Sequence, residues 1–351
     1  MKMDDILIKG IDMQASDVHI VCVLPPILRI NGKLEKLEEF GNITSDISQK
    51  LLLKLINNDQ KERLARDLAL DFSYTIAGYG RFRCNYFYQR GTLAGVFRLI
   101  SKKMPSVEEL GLPMQIKEFA TYPRGLVIVA GPTGSGKSTT LAAIIELINK
   151  NRRENIITIE DPIEYLFKHN KSIISQREVL ADARSFSSAL KFVLREDPDV
   201  IMVGEMRDLE TVSSALTAAE TGHLVFSTLH TQDAPQTIDR IIDIFPTHQQ
   251  KQVRIQLAAT LKAVLVQQLL PNRDGDGREA ATELMFVTPA ISNMIREMKV
   301  HQIRTAMQAG GRRGMITMDR SLADLYRQNK ITHDICIEKC HNREEIERMI
   351  V

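Results

Sequence analysis

The strongest constraint on this 351-residue chain is a strand–loop–helix string running from Gly125 to Ile148. Its centre, Gly131-Pro132-Thr133-Gly134-Ser135-Gly136-Lys137-Ser138, is a complete G-x-x-x-x-G-K-[ST] phosphate loop. The apolar run Gly125-Leu126-Val127-Ile128-Val129-Ala130 before it reads as a buried strand. After it, Thr139 to Ile148 carries apolar residues at helical spacing. Glycines let successive backbone N–H groups wrap an anion, and the following helix presents its positive end to the same charge. Lys137 can reach the β- and γ-phosphates of a nucleotide, and the Ser138 hydroxyl can ligate Mg²⁺. Gly131, Pro132, Thr133, Gly134, Ser135, Gly136, Lys137, Ser138 and Thr139 are the expected nucleotide-binding residues.

A loop of this kind needs a sheet to stand on, and the sequence around it supplies one. Ile156-Ile157-Thr158-Ile159, Val200-Ile201-Met202-Val203 and Leu224-Val225-Phe226-Ser227-Thr228 are short apolar runs without alternation, each ending at polar or acidic residues. Such runs fit strands buried on both faces of a helix-covered α/β sheet, with ligands at their carboxyl ends. After about residue 250 the pattern reads as mostly helical, up to Glu344–Arg348. Residues 107–351 are expected to form this domain, and 101–106 a linker.

Residues 1–100 follow a different pattern. Val18–Val23 and Ile27–Ile30 are strand-like, and Asn31-Gly32 is a type I′ hairpin signal. A helical stretch is expected from Ile47 to Arg66, then strands over 71–76, 81–86 and 93–98 separated by tight turns. Together these indicate a smaller antiparallel α+β domain. Arg81 and Arg83, two apart on a strand, point to the same face and can address one anion.

Three further segments bring groups that a nucleotide site can use. Val200–Val203 delivers Glu205, placed to hold Mg²⁺ or its water shell. Glu160-Asp161-Pro162-Ile163-Glu164 supplies carboxylates, of which Glu164 or Glu160 can polarise an attacking water. His223 and His230 bracket another strand; each stays open between a sensing and a structural role. His333, Cys336, Cys340 and His341 are grouped near the end, with Cys336 and Cys340 four apart, a spacing that can share one helix face. Buried or incidental thiols are common, however, and no metal is expected there.

Charge narrows the partners. Lys plus Arg number 46 and Asp plus Glu 44, so no basic balance argues for nucleic acid or an anionic membrane. No apolar stretch approaches the roughly 18 residues of a membrane helix, and the N-terminus lacks a signal-peptide pattern. Four dispersed cysteines suit a reducing compartment, and a cytoplasmic protein is expected.

The phosphate loop, Ile159–Glu164, Glu205-Met206-Arg207-Asp208, and Thr221-Gly222-His223 through Thr228-Leu229-His230-Thr231 come in a recognisable order. It resembles the Walker A, Asp-box, Walker B and His-box order of the secretion superfamily of hexameric ATPases. Ala15-Ser16-Asp17-Val18-His19, Pro25-Pro26, Gly310-Gly311 and Met318-Asp319 extend the likeness over essentially the whole chain. The resemblance implies a PAS-like N-terminal domain before a RecA-like P-loop ATPase domain, assembled as a homohexamer. It also implies ATP and Mg²⁺ as ligands, with Ser138 and Glu205 at the metal and Glu164 as the catalytic carboxylate. His223 and His230 would report the γ-phosphate, and Arg81, Arg83 and Arg98 would come to the nucleotide.

Within that superfamily the resemblance is to the type IV pilus retraction branch, whose motors drive pilin disassembly and twitching motility. Ala290-Ile291-Ser292-Asn293-Met294-Ile295-Arg296-Glu297 is similar to the AIRNLIRE signature of that branch, with Ser292 for Arg and Met294 for Leu. The sequence has no C-x-x-C pair of the kind that the resemblance associates with assembly and type II secretion relatives, and the extra N-terminal domain those relatives carry is not expected. The partners implied are an inner-membrane pilus platform protein, met at the cytoplasmic face of that membrane, and a second retraction ATPase. The alternatives are a pilus extension, type II secretion or accessory retraction ATPase. A nucleic-acid translocase is further off, since no basic stripe is present and no nucleic acid is expected.

Overall fold

The computed structural model describes residues 1–100, 104–275 and 277–350. The chain falls into two units, Met1–Lys103 with Glu164–Leu166, and Met104–Ile163 with Phe167–Val351. Of the linker expected at 101–106, residues 101–103 lie outside the described residues.

In the first unit, helix α1 (Met3–Asp12) precedes strands β1 (Asp17–Ile20), β2 (Ile27–Ile30) and β3 (Lys33–Lys36). Helices α2 (Ser45–Leu53) and α3 (Asn58–Asp67) follow, then β4 (Ala69–Ile76), β5 (Gly80–Gln89) and β6 (Thr92–Leu99). The sheet order is β3-β2-β1-β6-β5-β4 with every pair antiparallel. Asn31 and Gly32 both take positive φ between β2 and β3, as a type I′ turn requires. The single helix expected over 47–66 is two helices instead. Asn57 starts the second, accepting from the Gln60 N–H at 2.9 Å while the Gln60 side chain accepts from Asn57 N–H at 3.0 Å. That capping box outweighs continuation of the first helix.

Period-two alternation sorts this sheet into two faces. Phe82, Cys84 and Tyr86 of β5 are buried with Phe97, Val18 and Leu28. Tyr86 packs edge-on against Phe72 and Phe97, and its hydroxyl donates to the Leu52 carbonyl of α2. The opposite face carries a polar row, because Arg29 pairs Asp17, Asp17 pairs Arg98, and Arg98 pairs Arg83 across four strands.

The second unit is built on β7 (Gly125–Ala130), α4 (Lys137–Asn151), β8 (Asn155–Glu160), β9 (Ile173–Glu178), α5 (Phe186–Val193), β10 (Val200–Val203), α6 (Leu209–Glu220) and β11 (Leu224–Leu229). After these come α7 (Ala234–Asp243), α8 (Thr247–Thr260), β12 (Leu261–Pro271) and β13 (Arg278–Phe286). The end of the chain is α9 (Pro289–Arg296), α10 (Ile303–Ala309), α11 (Met318–Arg327), α12 (His333–Lys339) and α13 (Arg343–Ile350). The sheet runs β13-β12-β7-β11-β10-β8-β9, parallel except for the β12–β13 hairpin. This is the mixed α/β architecture with a parallel sheet that the sequence predicts.

One expectation fails here. The region after residue 250 is not mostly helical at first, since 261–271 and 278–286 form long strands. Ala263-Val264-Leu265-Val266 is apolar throughout because both faces of β12 are buried, and periodicity cannot tell such a run from a buried helix.

Every residue of β7 and of β11 is buried. Each fully buried Val or Ile contributes about 1.5–3 kcal/mol, so these strands are rigid supports for the loops at their ends. Glu283 on β13 closes two helix starts beside this core, accepting from Ala234 N–H at 2.7 Å and Met318 N–H at 3.2 Å. Burial lifts its pKa above the ordinary value, a rise that those two backbone donors oppose.

Candidate nucleotide site

Parallel strands bring their carboxyl ends to one edge, and three of those ends converge on the phosphate loop. β11 lies between β7 and β10, and β10 between β11 and β8. Gly131 N–H donates to the Leu229 carbonyl at 3.2 Å, so the loop leaves β7 beside the end of β11. The Thr228 hydroxyl donates to Gly204 O at 2.6 Å, and Met206 N–H to Thr228 O at 3.3 Å. These bonds fix the turn that carries Glu205 next to the one that carries His230.

The loop itself depends on glycine at two places. Gly131 has φ of 140°, and a Cβ there would stand 2.2 Å from the Gln267 carbonyl and 2.7 Å from Ser135 Oγ. Gly136 has φ of 89° at the start of α4, a left-handed conformation that favours glycine. Lys137 folds over the loop, its Nζ donating to Gly131 O at 2.8 Å and Pro132 O at 2.9 Å. Ser135 is buried and its hydroxyl has no hydrogen-bond partner among the described residues. A buried donor of that kind fits an anionic oxygen, as does the half-buried Ser138 hydroxyl on the first turn of α4.

Glu205 stands at the next strand end with both carboxylate oxygens engaged. Arg207 Nη2 lies 2.7 Å from Oε2, and His230 Nε2 lies 3.3 Å from Oε1. Burial would raise the Glu205 pKa, but Arg207 and His230 hold it below the ordinary carboxylate value. The site therefore offers an ionised carboxylate, an ammonium and hydroxyl donors along one sheet edge. That set suits a hard cation bound together with phosphate oxygens.

The remaining expected residues divide. Glu160 ends β8 but is buried, accepting from the Thr158 hydroxyl at 2.6 Å and the Gln176 amide at 3.1 Å. Glu164 is exposed and falls with Tyr165 and Leu166 in the first unit. His223 is not brought to this edge. It precedes β11 at the amino end of the sheet, its carbonyl bonded to Gly125 N–H and its Nδ1 2.9 Å from Ala218 O. A six-residue strand separates it from His230 by about 20 Å.

Arg81, Arg83 and Arg98 share the polar face of the first unit's sheet. Arg83 and Arg98 are cross-strand partners and both are exposed. Arg98 Nε donates to Asp17 Oδ1 at 2.8 Å, and Asp17 is itself only 5% exposed. Burial raises the Asp17 pKa, yet Arg98 and Ser16 bring it below its usual value.

One polar residue against the loop escapes the sequence reading. Gln267, 2% exposed on β12, donates to the Ser135 carbonyl at 2.5 Å and accepts from the Thr140 hydroxyl at 2.8 Å. The pair Gln267-Gln268 interrupting an apolar run was the available signal, concealed by the helical expectation for that region.

In α9, Ile291 and Ile295 are buried while Asn293, Arg296 and Glu297 are exposed. The Ser292 hydroxyl donates to Ala258 O of α8 at 2.6 Å, so the residue that replaces an arginine is tied inward. Cys336 is buried in α12, and burial pushes its thiol up to about 11.

A family model described as "Type II/IV secretion system protein" matches residues 3–349. The chain belongs to that family. Two curated relatives span nearly the same length as this secretion-family chain. The Type IV pilus retractation ATPase PilT of Pseudomonas aeruginosa is 44% identical over 97% of this chain and 98% of its own. A twitching motility protein of Neisseria gonorrhoeae is 45% identical over 92% and 86% respectively. A crystal structure of the pilus retraction motor PilT with bound ADP is 48% identical with a TM-score of 0.92, covering 99% of both chains. The secretion-family fold therefore extends across both units. No helix among the described residues is long and apolar enough to cross a membrane.

Proposed function

We propose that this chain is an ATP-hydrolysing motor, working as a homohexamer, that powers type IV pilus retraction and twitching motility. The observation that carries the reading is the phosphate loop, held by β7 and β11 beside the Glu205–His230 pair. Similarity over 99% of both chains to a pilus retraction motor solved with bound ADP supports a nucleotide at that loop.

Gly131 to Thr139 cradle the phosphates, and Lys137 exchanges its bonds to Gly131 O and Pro132 O for β- and γ-phosphate oxygens. Mg²⁺ would be held by the Ser138 hydroxyl and, through water, by Glu205; it neutralises charge on the phosphates when bound. Glu164 serves as the carboxylate that orients the attacking water, and His230 reads the γ-phosphate through its bond to Glu205. Arg81, Arg83 and Arg98 neutralise the transferring phosphoryl group, which ties the first unit to nucleotide state. His223 stands at the opposite end of its sheet from this chemistry.

The motor acts on the cytoplasmic face of the inner membrane through a pilus platform protein, with a second retraction ATPase as a further partner. Two measurements test the reading. Purified protein releases phosphate from ATP in a Mg²⁺-dependent manner, and no release overturns the ATPase. Deletion of the gene gives hyperpiliated, non-motile cells; bald cells would assign extension instead.

A further inference from the structure

The geometry points to Gln267 as a positioning residue that holds the phosphate loop in its nucleotide-binding shape. This rests on the nucleotide-site reading above and adds a residue that stands outside the loop.

Strand β12 runs parallel to β7 with Val266 opposite Ala130, the last residue of β7. The next residue of β12, Gln267, therefore lies alongside Gly131, where β7 has given way to the loop. Its backbone carbonyl fills the place a Cβ at position 131 would take, 2.2 Å away. Its side chain crosses to the other end of the loop. Nε2 donates to Ser135 O, and the same nitrogen would be 3.0 Å from a Cβ at Gly136. Oε1 accepts from the Thr140 hydroxyl in the first turn of α4. One buried residue thus touches the start of the loop through its backbone carbonyl, and the 135–136 peptide and the helix through its side-chain amide.

The physical need follows from how such a loop binds. Its N–H groups must face inward to the phosphates, so its carbonyls must face outward and find donors there. The 135–136 peptide is the one whose N–H belongs to Gly136. Fixing Ser135 O outward to Gln267 turns the Gly136 N–H inward. Gly134 and Gly136 both have positive φ, and glycine on either side of Ser135 leaves that peptide free to rotate. Rigidity must then come from a neighbour, and Gln267 supplies it from a strand buried on both faces. The second bond keeps the Thr140 hydroxyl from turning back onto its own helix at Gly136 O, the usual alternative for a helical threonine. Preorganising the loop in this way raises affinity for phosphate without touching the reacting atoms.

The test compares Gln267→Met, Thr140→Val and wild type as full-length protein. ADP affinity is measured by calorimetry, with binding stoichiometry, and kcat and KM are measured with Mg²⁺-ATP. Methionine keeps the shape and loses both bonds, leaving Ser135 O buried without a donor. Gln267→Met is expected to weaken ADP binding roughly ten- to a hundredfold, the worth of one to two buried hydrogen bonds. KM for ATP rises by a similar factor while kcat falls by less. Thr140→Val removes only the second bond and gives a smaller weakening of the same kind. Should Gln267→Met fail to fold, Thr140→Val decides alone, and unchanged ADP affinity there overturns the proposal. Unchanged affinity in Gln267→Met, with lowered stoichiometry or melting temperature, would make Gln267 a packing residue only. Wild type that binds no ADP overturns the nucleotide site itself, whereas wild type that binds and variants that match it overturn only the role of Gln267.

Discussion

The two sheets of this molecule place their polar chemistry in opposite ways. In the second unit β7 and β11 are buried along their whole length, so the charged groups of the phosphate site gather where the strands end. In the first unit, β5 alternates buried Phe82, Cys84 and Tyr86 with Arg81, Arg83 and Asn85, so polar groups cover a face. A strand end can position one group per strand to within the stiffness of the core beneath it. A sheet face presents many groups at the spacing of strands, about 4.8 Å apart, suited to a broad anionic surface. The difference teaches that a parallel sheet makes a point-like site and an antiparallel one a patch.

The largest expected effect lies at the point-like site. Lys137→Ala removes the loop's ammonium and should weaken nucleotide binding and abolish hydrolysis. Glu205→Gln keeps the loop and should leave binding largely intact while removing turnover. Phosphate release at the wild-type rate in either variant would break the assignment of chemistry to the strand ends.

The patch should behave more gradually. Arg81→Ala and Arg83→Ala are expected to lower turnover more than nucleotide affinity, since a guanidinium acts mainly on transition-state charge. A lone arginine finger is worth on the order of a thousandfold; sharing among three arginines should reduce each loss below that. Unchanged turnover in the double variant, with hexamers intact, would leave these arginines as surface charges.

How much of this was legible follows the same division. Runs such as Val200–Val203 and Ile27–Ile30 were read with the bounds that the structure shows, because local pattern decides them. The phosphate loop carries its own conformation in its glycines. That Arg81 and Arg83 share a face follows from alternation, but that Arg98 stands opposite Arg83 depends on register, which no local pattern encodes. His223 and His230 looked equivalent in sequence; a six-residue strand puts them at opposite ends of the sheet. β12 was hidden because burial on both faces erases the alternation that marks a strand, and Gln267 was hidden with it.

Acid stability should separate the two units by sign. Asp17 has a lowered pKa, so its contribution is complete above its ordinary value of 3.8 and is lost as pH falls through the folded value. Asp17→Asn should therefore cost about 2 kcal/mol at neutral pH and progressively less in acid. Glu283 has a raised pKa, so its contribution is complete below 4.5 and declines as pH rises through the folded value. Glu283→Gln leaves one of the two helix N–H groups without an acceptor, costing about 1–3 kcal/mol, but its deficit should shrink as pH rises. Thermal unfolding of both variants against pH measures this. Parallel trends would mean that the two carboxylates do not differ in the way their surroundings dictate.

The smallest effect on turnover is expected at α9, which belongs to neither sheet. Ile291 and Ile295 anchor it and the Ser292 hydroxyl ties it to α8, leaving Asn293, Arg296 and Glu297 outward. Asn293 donates to Glu297 at 2.9 Å, and both side chains of the pair are exposed to solvent. Nothing in that outer edge holds the helix in place, so Asn293→Ala with Arg296→Ala should leave fold, hexamer and ATP hydrolysis near wild type. If the edge passes the motor's motion to a partner, the same variant should abolish twitching. Motility assays beside phosphate release and native mass measurement separate the outcomes. Loss of hexamers would make α9 an assembly element, and normal twitching would remove it from the path between hydrolysis and the pilus. Motility lost with turnover kept would place a third kind of site beside point and patch, one whose chemistry is a surface contact made by a helix that the core merely holds still.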